Sequence, residues 1–132
     1  MDINEANIVN KIRVGVFMVS LRTDGLVHVH ASGDEIDLPG YKKLVEEMAK
    51  MTSWKKVPVL CTADEFFIPN EDVRKYLTKP ESNPYSLATA LVVSSISQKL
   101  VGNFFMTVMK PTRRIRIFTR KDDAIKWLRS YL

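Results

Sequence analysis

The chain has 132 residues, of which 45% are apolar and 27% charged, with six Pro and five Gly. That length suits one domain with a real core, and the composition excludes disordered, collagenous and low-complexity chains. Twenty Lys and Arg against fifteen Asp and Glu leave +5, a bias compatible with an anionic partner without demanding one.

The single cysteine, Cys61, cannot close an internal disulfide, and the start MDINEANIVNKIRV lacks the basic and apolar pattern of a secretion leader. Apolar runs such as 14–19 and 88–93 fall well short of the roughly 20 residues that span a bilayer. No lipidation motif appears, so a cytoplasmic protein with no membrane span is expected.

Alternation over 11–21 predicts one long strand, with Ile12, Val14, Val16 and Met18 on one face and Phe17, Val19 and Leu21 on the other. Asp24-Gly25 between β-branched runs predicts a hairpin to an antiparallel strand over 26–31, with Val27, Val29 and Ala31 facing the core. Asp37 can cap a helix carrying Pro39 in its first turn, whose apolar positions are Leu38, Tyr41, Leu44, Val45, Met48 and Met51. The run Val57 to Thr62 predicts a strand covered on both faces. Asn70 caps a short helix to about Thr78, Pro80 to Pro84 is loop, and Ala88 to Val93 is another buried strand.

Residues 95–109 predict a helix with Ile96, Leu100, Val101, Phe104, Phe105 and Val108 inward and Gln98, Lys99, Gly102, Asn103 and Thr107 outward. A strand over 114–118 and a helix over 119–131 follow, with Ala124, Trp127, Leu128 and Tyr131 inward. The expected fold is one α/β domain over 1–132: a mixed, mostly parallel sheet of about five strands in the order ββαβαβαβα with flanking helices. Strands joined through single helices run parallel, and only the first hairpin is antiparallel.

The stretch Ala90-Leu91-Val92-Val93-Ser94-Ser95-Ile96-Ser97-Gln98-Lys99-Leu100-Val101-Gly102-Asn103-Phe104-Phe105 resembles the uncharacterised bacterial branch of the STAS/SEC14-like (SpoIIAA-like) families. Lys110-Pro111, Ile117-Phe118 and the closing Ala124-Ile125-Lys126-Trp127-Leu128 carry the same likeness, which is related to anti-sigma-factor antagonist domains. The resemblance implies a mixed sheet with helices on its flanks and mainly non-enzymatic relatives: protein-binding switches and, more distantly, carriers of apolar ligands. Antagonists of that kind carry an Asp-Ser-Ser-Gly-like stretch whose serine accepts phosphate. Here the matching strand, Val57 to Cys61, is followed by Thr62-Ala63-Asp64-Glu65-Phe66-Phe67, so the phosphoserine switch does not carry over. The acids beside Thr62 would also repel an added phosphate.

Ser94, Ser95 and Ser97 lie where a parallel strand turns into a helix, a place where amides can hold an anion, although capping is a serine's commonest role there. Lys99 lies one turn on and can balance an anion or stand solvated. No Gly-x-Ser-x-Gly or Ser-x-x-Lys pattern supports a nucleophilic serine. A mid-helix Asn costs propensity, so Asn103 either faces water or bonds a neighbouring loop backbone, and the bond is the favoured reading. Phe66, Phe67, Tyr85, Phe104 and Phe105 read first as core packing and second as the lining of an apolar pocket, since Phe66-Phe67 after a strand end suggest a contact to be made.

Lys110, Arg113, Arg114 and Arg116, with Arg120 and Lys121, make an acid-free basic patch, read as a solvated sheet edge that deters aggregation, with an acidic protein second. No aromatic-interleaved motif accompanies it, so nucleic acid is disfavoured. His28 and His30 share a strand face but lack a third ligand, so no metal or other cofactor is expected. Cys61 reads as a buried, inert thiol.

These features point to a non-enzyme that binds another protein through the strand-end face around Thr62, Asp64, Phe66, Phe67, Ser94, Ser95, Ser97, Lys99 and Asn103. The second reading is a carrier of a small apolar or anionic ligand at the same carboxyl end of the strands. A homodimer stays open.

Overall fold

The structure, a computed structural model, describes residues 8–132. The expectation about a leader rests partly on residues 1–7 and to that extent lies outside the described residues. The chain runs β1 (Ile8–Val14), β2 (Phe17–Arg22), β3 (Val27–Ala31), α1 (Leu38–Met51), β4 (Val57–Ala63), α2 (Glu71–Leu77), β5 (Ser86–Val92), α3 (Ile96–Phe104), β6 (Ile115–Phe118) and α4 (Lys121–Arg129). A 3-10 turn at Pro80–Ser82 precedes β5, and a π-helical turn at Phe105–Met109 extends α3.

The six strands lie in sequence order across one sheet. The β1–β2 and β2–β3 pairs are antiparallel, and β3 to β6 run parallel. The α/β class and the mostly parallel sheet are as expected; the strand count is six rather than about five.

The long first strand of the sequence reading is two strands. Gly15 adopts φ +58, a region costly for other residues, and turns the chain so that Val14 faces Phe17 and Ile12 faces Val19. The two-residue turn shifts the alternation, so Val14 and Phe17 fall on one face rather than on opposite ones, and both are buried in one cluster. Gly25, at φ +89, closes the β2–β3 hairpin through its amide to the Arg22 carbonyl at 3.1 Å.

Local signals place the helices well. Asp37 accepts the Gly40 amide at 2.9 Å at the start of α1, and Asn70 accepts the Val73 amide at 2.9 Å at the start of α2. Successive parallel neighbours all step one way along the sheet, so crossovers of one hand lay α1, α2 and α3 on the same face. There Val19, Val29 and Val59 meet Tyr41, Leu44, Met48 and Val73. On the other face α4 packs, alone among the described helices, with Ala124, Ile125 and Leu128 against Leu26, Leu60, Ala88 and Ala90. Arg22, 5% exposed, pairs with Asp24 at 2.7 Å, and Asp24 also meets Arg129 of α4 at 3.0 Å, tying the hairpin to that helix.

The face of α3 differs from the expectation. Gln98, Gly102 and Phe105 point inward, while Ile96, Leu100, Phe104 and Val108 point outward. The apolar stripe is broad enough to suit either rotation; the inward face is fixed by Gln98, which has polar partners only on that side, and Gly102 on the same face lies against Ile117.

Candidate functional site

The two segments singled out at the strand ends are joined by Gln98. Its Nε2 donates to the Asp64 carbonyl at 2.9 Å and to the Phe67 carbonyl at 3.0 Å, while its Oε1 accepts the Ser94 amide at 2.9 Å. Ser95 accepts the Gln98 amide at 3.1 Å and completes a capping box. The serine cluster is thereby spent on the helix start: Ser95 caps it, and the Ser94 hydroxyl donates to Gln98 Oε1 at 3.3 Å. Ser97 and Lys99 are exposed on the helix surface.

Three of the other expectations need correcting. Phe67 is buried and stands edge-on to Phe17 with ring centroids 6.3 Å apart, so it belongs to the core and not to a docking face. Asn103 is exposed and its side chain makes no hydrogen bond among the described residues; only its carbonyl accepts, from Thr107. The basic patch does not form one surface. Lys110 ends the π turn in a left-handed conformation, and Arg113 turns inward to donate to Ser82 at 2.9 Å and to Thr89. On edge strand β6 and just before it, Arg116 and Arg114 stack on rings of the opposite face, Arg114 over Tyr131 at 4.7 Å and Arg116 over Phe118 at 5.1 Å.

What the strand ends do present is apolar. Ile96, Leu100, Phe104 and Val108 are 78%, 68%, 54% and 60% exposed and recur every fourth residue, the first three spanning about 12 Å of α3 at 1.5 Å per residue and Val108 following in the π turn. Phe66, 75% exposed, stands in the loop that Gln98 holds against the first turn of α3. Ser97, Asn103 and Thr107 flank the row with neutral groups, and Lys99 and Lys110 supply the only charges from 96 to 110.

The two histidines enter a polar chain on the α4 face, beyond the part that α4 covers. His30 Nε2 lies 3.0 Å from Asp64 Oδ1, and His30 Nδ1 and His28 Nε2 lie 2.8 and 2.7 Å from the Thr62 hydroxyl. In the neutral His30 ring, donation from Nε2 to Asp64 leaves Nδ1 to accept the Thr62 proton, and Thr62 then accepts from His28. Burial, helped by repulsion from Lys121, His30 and Arg22, pushes His28 down to about 4, which keeps it neutral at neutral pH. The His30 bond and the Gly33 amide hold the Asp64 carboxyl below its usual range. Among the described residues no three His, Cys, Asp or Glu side chains converge as metal ligands.

Between the sheet and α1 to α3 lies a cavity of about 160 Å³, lined by groups such as Leu44, Met48, Val101 and Phe105. Half-buried Cys61 borders it, and burial pushes its thiol up to about 12, which disfavours the thiolate at neutral pH. Burial likewise raises the Tyr41 phenol to about 12. No helix among the described residues is long and apolar enough to cross a membrane.

Sequence reasoning placed Gln98 on the wet side, although Ser95-Ile96-Ser97-Gln98 is a capping-box pattern that marks it. The inward turn of Arg113 leaves no such mark, because it depends on a loop packing against the 3-10 turn.

Residues 19–132 match the family described as a domain of unknown function, DUF7793, and the chain belongs to that family. No curated protein and no solved structure matches it.

Proposed function

We propose that this protein is a non-enzymatic binding module that offers the outer face of α3, together with Phe66, to a partner protein. The carrying observation is the row Ile96, Leu100, Phe104, Val108, four large apolar side chains left in solvent at one helical spacing. Scattered exposed apolar residues are ordinary; an aligned row beside a fifth, Phe66, is a docking feature. Anchors at every fourth position are the pattern by which a helix enters an apolar groove.

The partner that fits has such a groove with an acidic rim. The whole stretch from Ser82 to Lys121, which contains α3 and its flanks, holds seven bases and no acid, and Lys99 and Lys110 are exposed on α3 and at the end of its π turn. A second copy meeting the row in parallel would bring those lysines together. The resemblance to STAS-like families supports the same class of role, with docking through a helix in place of a phosphoserine switch.

The test uses a photo-crosslinking phenylalanine analogue at Leu100 or Phe104, and at exposed Lys126 on α4 as control, in the full chain expressed in its source cells. The expected result is one heterologous adduct from the two α3 positions, mapping to an apolar groove flanked by Asp or Glu, and lost when Ile96→Asp is added. An adduct equally strong from Lys126, a self-adduct, no adduct, or retention by anionic vesicles that depends on the same row would each overturn the proposal.

A further inference from the structure

We infer that the cavity under α1 to α3 is a binding site for a small carboxylate with an apolar tail, whose head is held by Arg113 and Asn83. This inference is independent of the docking face. Arg113 faces Ser82, Thr89 and Tyr41, all neutral hydroxyls, and no carboxylate lies within 4 Å of its guanidinium among the described residues. A half-buried guanidinium surrounded by neutral groups is short of an anion. Asn83 is only 6% exposed; its Oδ1 accepts the Tyr85 amide at 3.2 Å, while its Nδ2 has no partner among the described residues. A guanidinium held by neutral hydroxyls alone and a buried amide donor without an acceptor among the described residues therefore stand at the same place, and both line the cavity.

Arg113 and Asn83 also line a surface depression of about 390 Å³ that contains Lys56 and Arg114, with Glu81 as its one acid. They stand between the depression and the cavity, so an anion drawn in by three bases arrives at the guanidinium with its tail pointing toward Val101 and Phe105. Asn83 precedes β5 and Arg113 precedes β6, which puts the head at the amino end of the parallel strands. That is opposite to the carboxyl end where a ligand was expected.

The size of the space sets the tail. The cavity, about 160 Å³, is close to the roughly 150 Å³ of an engineered apolar cavity that takes up benzene. A phenyl ring or a chain of about six to eight carbons therefore fits, and a long fatty chain does not.

The experiment is a two-dimensional amide NMR titration of the full chain with octanoate and benzoate, beside 1-octanol, acetate and palmitate. Octanoate or benzoate should bind with Kd of about 1 mM or tighter and shift the amides of Asn83, Thr89, Gly102 and Phe105. Acetate and 1-octanol should be at least about tenfold weaker, since each lacks one half of the recognition. Arg113→Met should weaken octanoate about tenfold or more, with Arg113→Lys recovering part of the loss. Because Arg113→Met removes structural bonds too, Val101→Trp serves as a second variant: it fills the apolar end and should abolish octanoate binding with Arg113 untouched. Equal binding of octanoate and 1-octanol, equal binding of octanoate and acetate, shifts confined to surface lysines, or no shift at about 5 mM octanoate would each overturn the assignment.

Discussion

Replacing Gln98 by Ala tests how α3 is held. The Gln98 side chain is 7% exposed and makes three bonds at or under 3.0 Å: two donated to the carbonyls of Asp64 and Phe67, one accepted from the Ser94 amide. Truncation strands the carbonyl of buried Phe67, which costs about 1–3 kcal/mol. The Asp64 carbonyl and Ser94 amide belong to exposed residues and can turn to water, so each loses roughly 0.5–1 kcal/mol, close to the net worth of an ordinary bond. The sum is about 3 kcal/mol, and for a domain of this length a midpoint drop of roughly 10 °C. Urea unfolding followed by circular dichroism reads the first figure and calorimetry the second. Gln98→Glu should be at least as damaging at pH 7, where a carboxylate would face two carbonyls, and should recover part of its stability below about pH 4.5, where the protonated acid can donate. If Gln98→Ala stays within about 0.5 kcal/mol of the parent, the residue does not clamp the strand-end loop and the rotation assigned to α3 is wrong.

Further outcomes follow from other contacts. His28 should make stability acid-sensitive: its folded value of about 4 lies below the unfolded value of about 6.5, so the unfolded chain takes up this proton first. The His28 contribution is complete above about pH 6.5 and falls as pH drops toward 4, by at most about 3 kcal/mol, and His28→Gln should remove that slope from a urea series; an unchanged slope contradicts it. Asp24→Ala should cost about 2–4 kcal/mol in urea, since it takes a carboxylate from Arg22 and Arg129 together, and a loss under about 1 kcal/mol refutes the tie between hairpin and α4. Burial alone would raise the Asp24 carboxyl, but those two guanidiniums and the Leu26 amide outweigh it and hold it below the usual range. Gly102→Ala should stabilise by up to about 1 kcal/mol, because a β-carbon there would meet Ile117 at an ordinary 3.6 Å and a helical glycine is entropically costly; destabilisation would mean that α3 sits closer to β6 than described.

Much of this fold is legible along the chain because its signals are local. Asp37, Asn70 and Ser95 each announce a helix with a side chain that accepts from the amide three residues on, and Asp24-Gly25 announces its hairpin. The signal fails where two conformations share a pattern. Ile12 to Val19 alternate equally well as one strand or as two joined through a two-residue turn at Gly15, and only Gly15's positive φ decides. Residues 96–108 carry apolar groups around so much of the helix that periodicity cannot choose a face. Tertiary partners of Gln98 choose it, and those partners lie about thirty residues away in sequence. The same limit hid the meeting of His28, His30, Thr62 and Asp64, which needs the parallel pairing of His30 with Thr62 across β3 and β4.

The direction in which α3 faces can be measured by introducing one cysteine at a time at Ile96, Leu100, Val101, Phe104 and Phe105 and timing maleimide labelling of the native chain. The native Cys61 thiol, half-buried and pushed up to about 12, sets the background rate, which is measured in the parent chain. Cysteines at 96, 100 and 104 should react at close to the rate of a free peptide thiol, and that at 105 at least about 100-fold more slowly, tracking burial. Slow labelling at 100 and 104 with fast labelling at 105 would bury the proposed docking row and remove its basis.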